Sequence, residues 1–135
     1  MAVIKKTDNL EEVKKNSSVE MKKKLVKKQN SKLKKIFAEI PSDRKTICES
    51  LIQNVAFMIV ELNDLQDQIH EHGMVEEYQN GENQCGTKPS SAAQIYNATL
   101  KSYNTSIKLL LGELPEGNSK ENTTNALAAM IAGQA

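Results

Sequence analysis

Apolar residues recur along this chain in three rhythms. The strongest places Cys48, Leu51, Val55, Met58, Leu62, Leu65 and Ile69 at alternating steps of three and four. That is a heptad seam and predicts a long amphipathic helix over 42–72. Pro41 bars a helix from continuing through it, Ser42 stands as the cap, and Gly73 supplies a stop. Ile47, Ile52, Ala56 and Ile59 widen the seam to a second side, while Gln53, Glu61, Asp64, Asp67 and Gln68 fall on the wet side. The second rhythm is Tyr96, Leu100, Tyr103, Ile107, Leu110 and Leu114, flanked by Ala92, Thr99 and Leu111. It predicts a helix over 90–114. Pro89 stands at its start, Ser91 and Gln94 form a capping box, and Pro115 and Gly117 end it. Between the two lies a turn-rich stretch. Val75 and Tyr78 suit strands, and Asn80-Gly81 is a two-residue turn signal. The expectation is a hairpin with strands at 74–79 and 82–85, closed by Gly86.

The third rhythm is looser. Val19, Leu25, Val26, Leu33, Ile36, Phe37 and Ile40 line one side of a segment that Ser17 and Glu20 open as a capping box. Asn30-Ser31 interrupts it, so two short helices or one bent helix are expected. Residues 1–16 carry charge and little apolar content, and are expected to lack fixed structure. Residues 116–125 are a polar linker. The alanine-rich end at 126–135, with Leu127, Met130 and Ile131 on one side, is too short for a helix of its own. The fold class is mainly α: an antiparallel long-helix pair joined by a small β-hairpin, after a basic helical N-terminal region and before a flexible C-terminal tail. The divisions are 1–41, a basic, partly disordered and partly helical region; 42–115, the helix–hairpin–helix core; and 116–135, the tail.

Composition sharpens this. The 135 residues contain no Trp and few aromatics, so the core is aliphatic and small. The seam at 48–69 is wider than one partner helix covers. The expected remedy is burial against other copies of the chain, through Leu51, Val55, Met58, Leu62, Leu65, Ile69, Tyr96, Tyr103, Ile107 and Leu110. The net charge of +1 conceals an asymmetry. Residues 1–35 hold twelve lysines against four carboxylates, a formal +8, and the remainder carries −7. A basic arm on an acidic body suits a polyanion partner; a solvated lysine tail is the plainer reading. Lys22, Lys23, Lys24, Lys27, Lys28, Lys32, Lys34 and Lys35 are the candidate DNA contacts. Lysines attract phosphates with little base discrimination, so salt-sensitive and weakly specific binding is expected.

Catalytic chemistry has few footholds. Cys48 sits among apolar residues with no His or acid at short spacing, and Cys85 has no activating partner. His70 and His72 are two apart and do not share a helix face, so two solvated histidines are favoured over a metal site. The spacing of a phosphate loop is absent. Tyr96 and Tyr103 continue a packing stripe, which is favoured over base stacking. The acids at 61, 64, 67 and 71 form a solvated face, or a docking surface for the basic arms of neighbouring chains. No enzyme, cofactor or metal is expected. No apolar run reaches membrane-spanning length and no secretory signal opens the chain, so a cytoplasmic protein is expected.

The chain also resembles the small terminase subunits of tailed bacteriophages. The resemblance covers roughly residues 32–115: KLKKIFAEIP at 32–41, LIQNVAFMIVELNDLQDQIHEHG at 51–73, VEEYQNGENQCG at 75–86 and PSSAAQIYNATLKSYNTSIKLLLGELP at 89–115. It implies a non-enzymatic DNA-packaging component of the bacterial host cytoplasm. Such a protein assembles into a homo-oligomeric ring, binds double-stranded viral DNA, and recruits and regulates the large terminase subunit, which carries the ATPase and nuclease. A ring gathers many weak arms, and multivalency raises avidity by about two to four orders of magnitude. A coiled-coil adaptor that binds proteins rather than DNA is the rival expectation.

Overall fold

A computed structural model describes residues 2–131. The first helix, α1, runs unbroken from Ala2 to Ile36. This replaces an unstructured 1–16, a start at Ser17 and a break at Asn30-Ser31. The reason is local. Lys, Glu, Leu and Met are strong helix formers, and no Gly or Pro occurs before Pro41. The helix runs through Asn30, whose side chain is half-buried, and through Ser31, which is exposed. The chain leaves α1 through a tight turn, with Phe37 N–H donating to Leu33 O at 2.9 Å and Ile40 N–H to Phe37 O at 3.2 Å.

Helix α2 spans Ser42–His72. Pro41, not Ser42, is its cap residue, and no side chain caps the helix. The proline ring fixes φ at −55°, and with ψ at 145° the chain enters the helix so that Ser42 is already inside the first turn. Gly73 ends α2 with φ +86°, a region costly for any residue with a Cβ, while its N–H donates to Ile69 O at 2.7 Å.

Strands β1 (Val75–Gln79) and β2 (Cys85–Pro89) pair antiparallel, with Tyr78 opposite Gly86 and Gln79 opposite Cys85. The turn is longer than the expected two residues. It spans Asn80–Gln84 and closes with Asn80 N–H donating to Gln84 O at 2.8 Å. The second strand therefore lies at 85–89 rather than 82–85, and Gly86 sits inside it instead of closing the hairpin. The Tyr78 ring lies over Gly86, and a Cβ there would meet the ring edge and hydroxyl at 3.0 Å. That glycine lets the aromatic cross the ribbon.

Helix α3 spans Ser91–Gly112. Its cap is Ser90, one residue before the expected Ser91, and the Ser90 hydroxyl accepts from Ala93 N–H at 3.1 Å. Gln94 Nε2 donates to Pro89 O at 3.1 Å. Helix α4 covers Asn118–Ile131, where a linker and the start of a loose tail were expected. It gains from α1 what it lacks in length: Leu127 is buried, and the Thr123 hydroxyl donates to Ile36 O at 3.3 Å, occupying a carbonyl at the end of α1. Residues 132–135, the end of the expected tail, lie outside the described residues.

The fold is thus mainly α, with a small antiparallel hairpin joining an antiparallel helix pair. Helix α2 packs on α3 along one side and on α1 along another. One core cluster contains Leu33 of α1, Phe37 of the turn that follows it, Val55 of α2, Leu110 of α3 and Leu127 of α4. Each such side chain contributes about 1.5–3 kcal/mol on leaving water. At one end of the α2–α3 pair, Arg44 grips Glu113 in a two-pronged bridge of 2.8 and 2.9 Å.

The helix pairing accounts for much of the apolar seam within one chain. Val55 and Leu110 are 0% exposed within a single chain, and Leu62, Leu65 and Tyr103 are also buried. Leu51, Met58, Tyr96 and Ile107 are partly buried and pack against the same cluster, and Ile69 is half-buried. The wide seam of α2 needs two neighbours, and α1 and α3 supply both. Within one chain, then, five of these ten positions are buried and the other five are partly buried.

Candidate nucleic-acid interface

Helix α1 has two sides with opposite tasks. Val26, Leu33 and Ile36 recur on the side that meets α2 and join its core. Helical periodicity turns Lys24, Lys27, Lys28, Lys34 and Lys35 the other way, and all five are exposed. From residue 24 to residue 35 this lysine face extends about 16 Å at 1.5 Å per residue. The eight candidate lysines therefore divide. Lys23 is exposed, 3.9 Å from Glu20 one turn earlier. Lys32 is half-buried at the flank. Lys22 faces α2, where its Nζ donates to Asp64 Oδ2 at 3.2 Å and Glu61 Oε1 at 3.4 Å. The hydrogen bond it donates to Asp64 is the main reason its pKa is raised; partial burial opposes it. Lys22 is a strut holding α1 on α2, which sets it apart from the five exposed lysines.

The same bridge gives Glu61 and Asp64 an intramolecular partner. Asp64 also accepts from Gln68 Nε2 at 3.1 Å. Two further acceptors on α1, Gln29 Oε1 and Asn30 Oδ1, are shielded from solvent with no hydrogen-bond partner. That makes the middle of the α1–α2 contact less well satisfied than its ends.

The two tyrosines stand away from the lysine face. Tyr103 is buried on α3, and burial pushes its phenol upward in pKa. The Tyr96 hydroxyl accepts from Gln66 Nε2 at 3.2 Å, bracing α3 against α2. Stacking on bases is thereby disfavoured for both. Cys48 is buried, and desolvation raises its thiol pKa, which opposes nucleophilic use. Cys85 is exposed on β2. His70 and His72 are exposed, with His72 Nε2 3.8 Å from Glu71 Oε2. Among the described residues, no three His, Cys, Asp or Glu are grouped to hold a metal, and no helix is long and apolar enough to cross a membrane. A pocket of about 200 Å³ opens between α1 and α2 beside Lys34, Phe37, Lys45 and Cys48. It is smaller than the usual ligand pocket.

Sequence reasoning missed two features. The Arg44–Glu113 bridge joins residues 69 apart in sequence, and no local pattern marks it. The exposed apolar residues Ile47, Phe57, Ile95 and Leu109 were hidden inside apolar-rich text. A stricter helical wheel would have shown Phe57 opposite Val55. No family model, curated protein or solved structure matches this chain.

Proposed function

We propose that this chain is the small, non-catalytic subunit of a bacteriophage terminase. It binds double-stranded viral DNA through α1, self-associates through its helical body, and presents the assembled complex to a large subunit that supplies ATPase and nuclease activity. The observation that carries the proposal is the outward lysine face of α1, held on a body whose remaining residues are net acidic. A preformed rod of lysines suits a phosphate backbone, and the acidic body disfavours wrapping DNA elsewhere. The absence of arginine from α1 fits sequence-tolerant contact. The resemblance over residues 32–115 supplies the packaging context.

The test is duplex binding by fluorescence anisotropy across a salt series. Five engaged phosphates per chain correspond to a log–log slope of about −4.5. Replacing Lys24, Lys27, Lys28, Lys34 and Lys35 with Gln should flatten the slope and leave the circular dichroism spectrum unchanged. No binding of the native chain at low salt would refute the DNA role. One observation favours the adaptor reading in that event. Residues 10–21 of α1 are all exposed, with Leu10, Val13 and Met21 available to a partner helix.

A further inference from the structure

We infer that the outer edge of β1 receives a third strand: an extended segment of a partner protein with a basic residue at its centre. The inference goes beyond the proposed function and stands without its DNA, packaging or assembly elements.

The hairpin is a sheet left uncovered. Eight of its ten strand residues are exposed, and the other two, Glu76 and Gly86, are half-buried beside Lys88 and Tyr78 of the hairpin itself. Two strands alone are marginal in water, and a third strand or a packed helix is the usual support.

The ladder decides which backbone groups remain to be paired. Asn80 N–H donates to Gln84 O and Ser90 N–H to Met74 O, both at 2.8 Å. Those two bonded pairs bracket the strands, and in an antiparallel ladder bonded and non-bonded pairs alternate. Glu76–Lys88 and Tyr78–Gly86 are thus the bonded pairs between them. Val75, Glu77 and Gln79 turn their N–H and C=O groups away from β2, and these groups have no backbone partner among the described residues. The edge of β1 offers donors and acceptors in alternation along the whole strand.

The other edge is closed. The outward residues of β2 are Cys85, Thr87 and Pro89. Pro89 has no N–H, and its carbonyl already accepts from Gln94 Nε2 at 3.1 Å. Strand addition is thereby directed to β1.

Charge defines what the added strand carries. Val75, Glu77 and Gln79 share one face of β1, and Glu76 and Tyr78 share the other. Glu76 is bridged by Lys88 at 3.5 Å. Glu77 has no bridging cation among the described residues, and the carboxylates nearest it in sequence are Glu71, Glu76 and Glu82. A lysine or arginine opposite Glu77 answers that charge, and β-branched residues suit the places opposite Val75 and Tyr78. A second copy of the chain fits less well. Pairing β1 with β1 over the full strand sets the two Glu77 side chains opposite each other, which is destabilising. Pairing β1 with the closed edge of β2 leaves an acceptor of β1 facing the proline ring. For an added strand, main-chain bonds supply affinity and alternate side chains supply selectivity.

The probe is a synthetic peptide whose core reads threonine, valine, lysine, threonine, valine. Laid antiparallel on β1, it sets its lysine opposite Glu77. Amide exchange of the full chain, followed by NMR, reads the edge directly. In the free chain the amides of Val75, Glu77 and Gln79 should exchange fast. Peptide should slow all three by about tenfold once its free concentration is about ten times Kd. Replacing the peptide's lysine with glutamate should weaken binding by about fivefold or more. Glu77→Lys should reverse that preference, with the Tyr78–Gly86 contact retained as evidence of an intact hairpin. Should Glu77→Lys open the hairpin, Glu77→Gln carries the comparison and should bind the two peptides about equally. No saturable binding of the lysine peptide below about 1 mM would overturn the inference. So would equal binding of both peptides by the native chain, or protection that leaves Val75, Glu77 and Gln79 unchanged. Edge amides already protected in the peptide-free chain, more so at higher protein concentration, would assign the edge to other copies and overturn it too. No arm contains DNA, so failure here leaves the packaging role standing.

Discussion

Leu33→Ala probes whether α1 is held on the body or merely drawn beside it. Leu33 is 0% exposed and shares a cluster with Phe37, Val55 and Leu127. Truncating a buried leucine removes its transfer free energy and leaves a cavity, together about 2–5 kcal/mol. The α1–α2 contact already contains the unpartnered Gln29 and Asn30 acceptors, so relaxation there is easy and the lower half of that range applies, about 2–3 kcal/mol. At roughly 3–5 °C per kcal/mol for a chain of this size, the melting midpoint should fall by roughly 6–15 °C. The control lies on the same helix. Leu25 is 44% exposed, and Leu25→Ala should stay within about 0.5 kcal/mol of the native chain. Urea unfolding followed by circular dichroism, at one fixed protein concentration, measures both. If Leu33→Ala cost under about 1 kcal/mol, or no more than Leu25→Ala, α1 would not be packed as described.

Two further perturbations follow from particular contacts. The Arg44 hydrogen bonds hold the Glu113 carboxyl below its ordinary 4.5, so this bridge stabilises the fold above that pH and is lost as the pH falls through the depressed value. The stability gap between the native chain and Glu113→Gln should therefore be constant near neutral pH and close in acid, as urea midpoints across pH 3–7 would show; a gap that persists in acid refutes the bridge. At Gly86, a valine side chain would be driven into the Tyr78 ring. Gly86→Val should swing Tyr78 out and raise amide exchange across 75–89 while α2 and α3 keep their protection, and unchanged exchange there would refute the stacking.

Helix α2 was legible because two residue types that punctuate backbone geometry, Pro41 and Gly73, bracket a regular seam. The hairpin was legible in kind and not in register. Asn80-Gly81 permits a two-residue turn, but the longer loop aligns Tyr78 with Gly86, a contact that no turn propensity encodes. Ser90 and Ser91 are equivalent as caps in sequence, and the Met74 carbonyl, which accepts from Ser90 N–H at 2.8 Å, decides between them. The greatest gap concerned the breadth of the α2 seam. Pattern reports how much surface must be covered and is silent on whether the cover comes from α1, far upstream, or from another molecule. The lysines were legible as a group; separating Lys22 from Lys24 required knowing which side of α1 rests on α2.

A loose cationic tail would have to surrender its freedom each time it met an anion. Here the backbone carrying Lys24 through Lys35 is already helical and braced along its inner side, so under the proposed DNA role the conformational loss on capture would be confined to lysine side chains. The backbone spacing of positive charge is fixed before any encounter, and a bound geometry would be inherited from the fold.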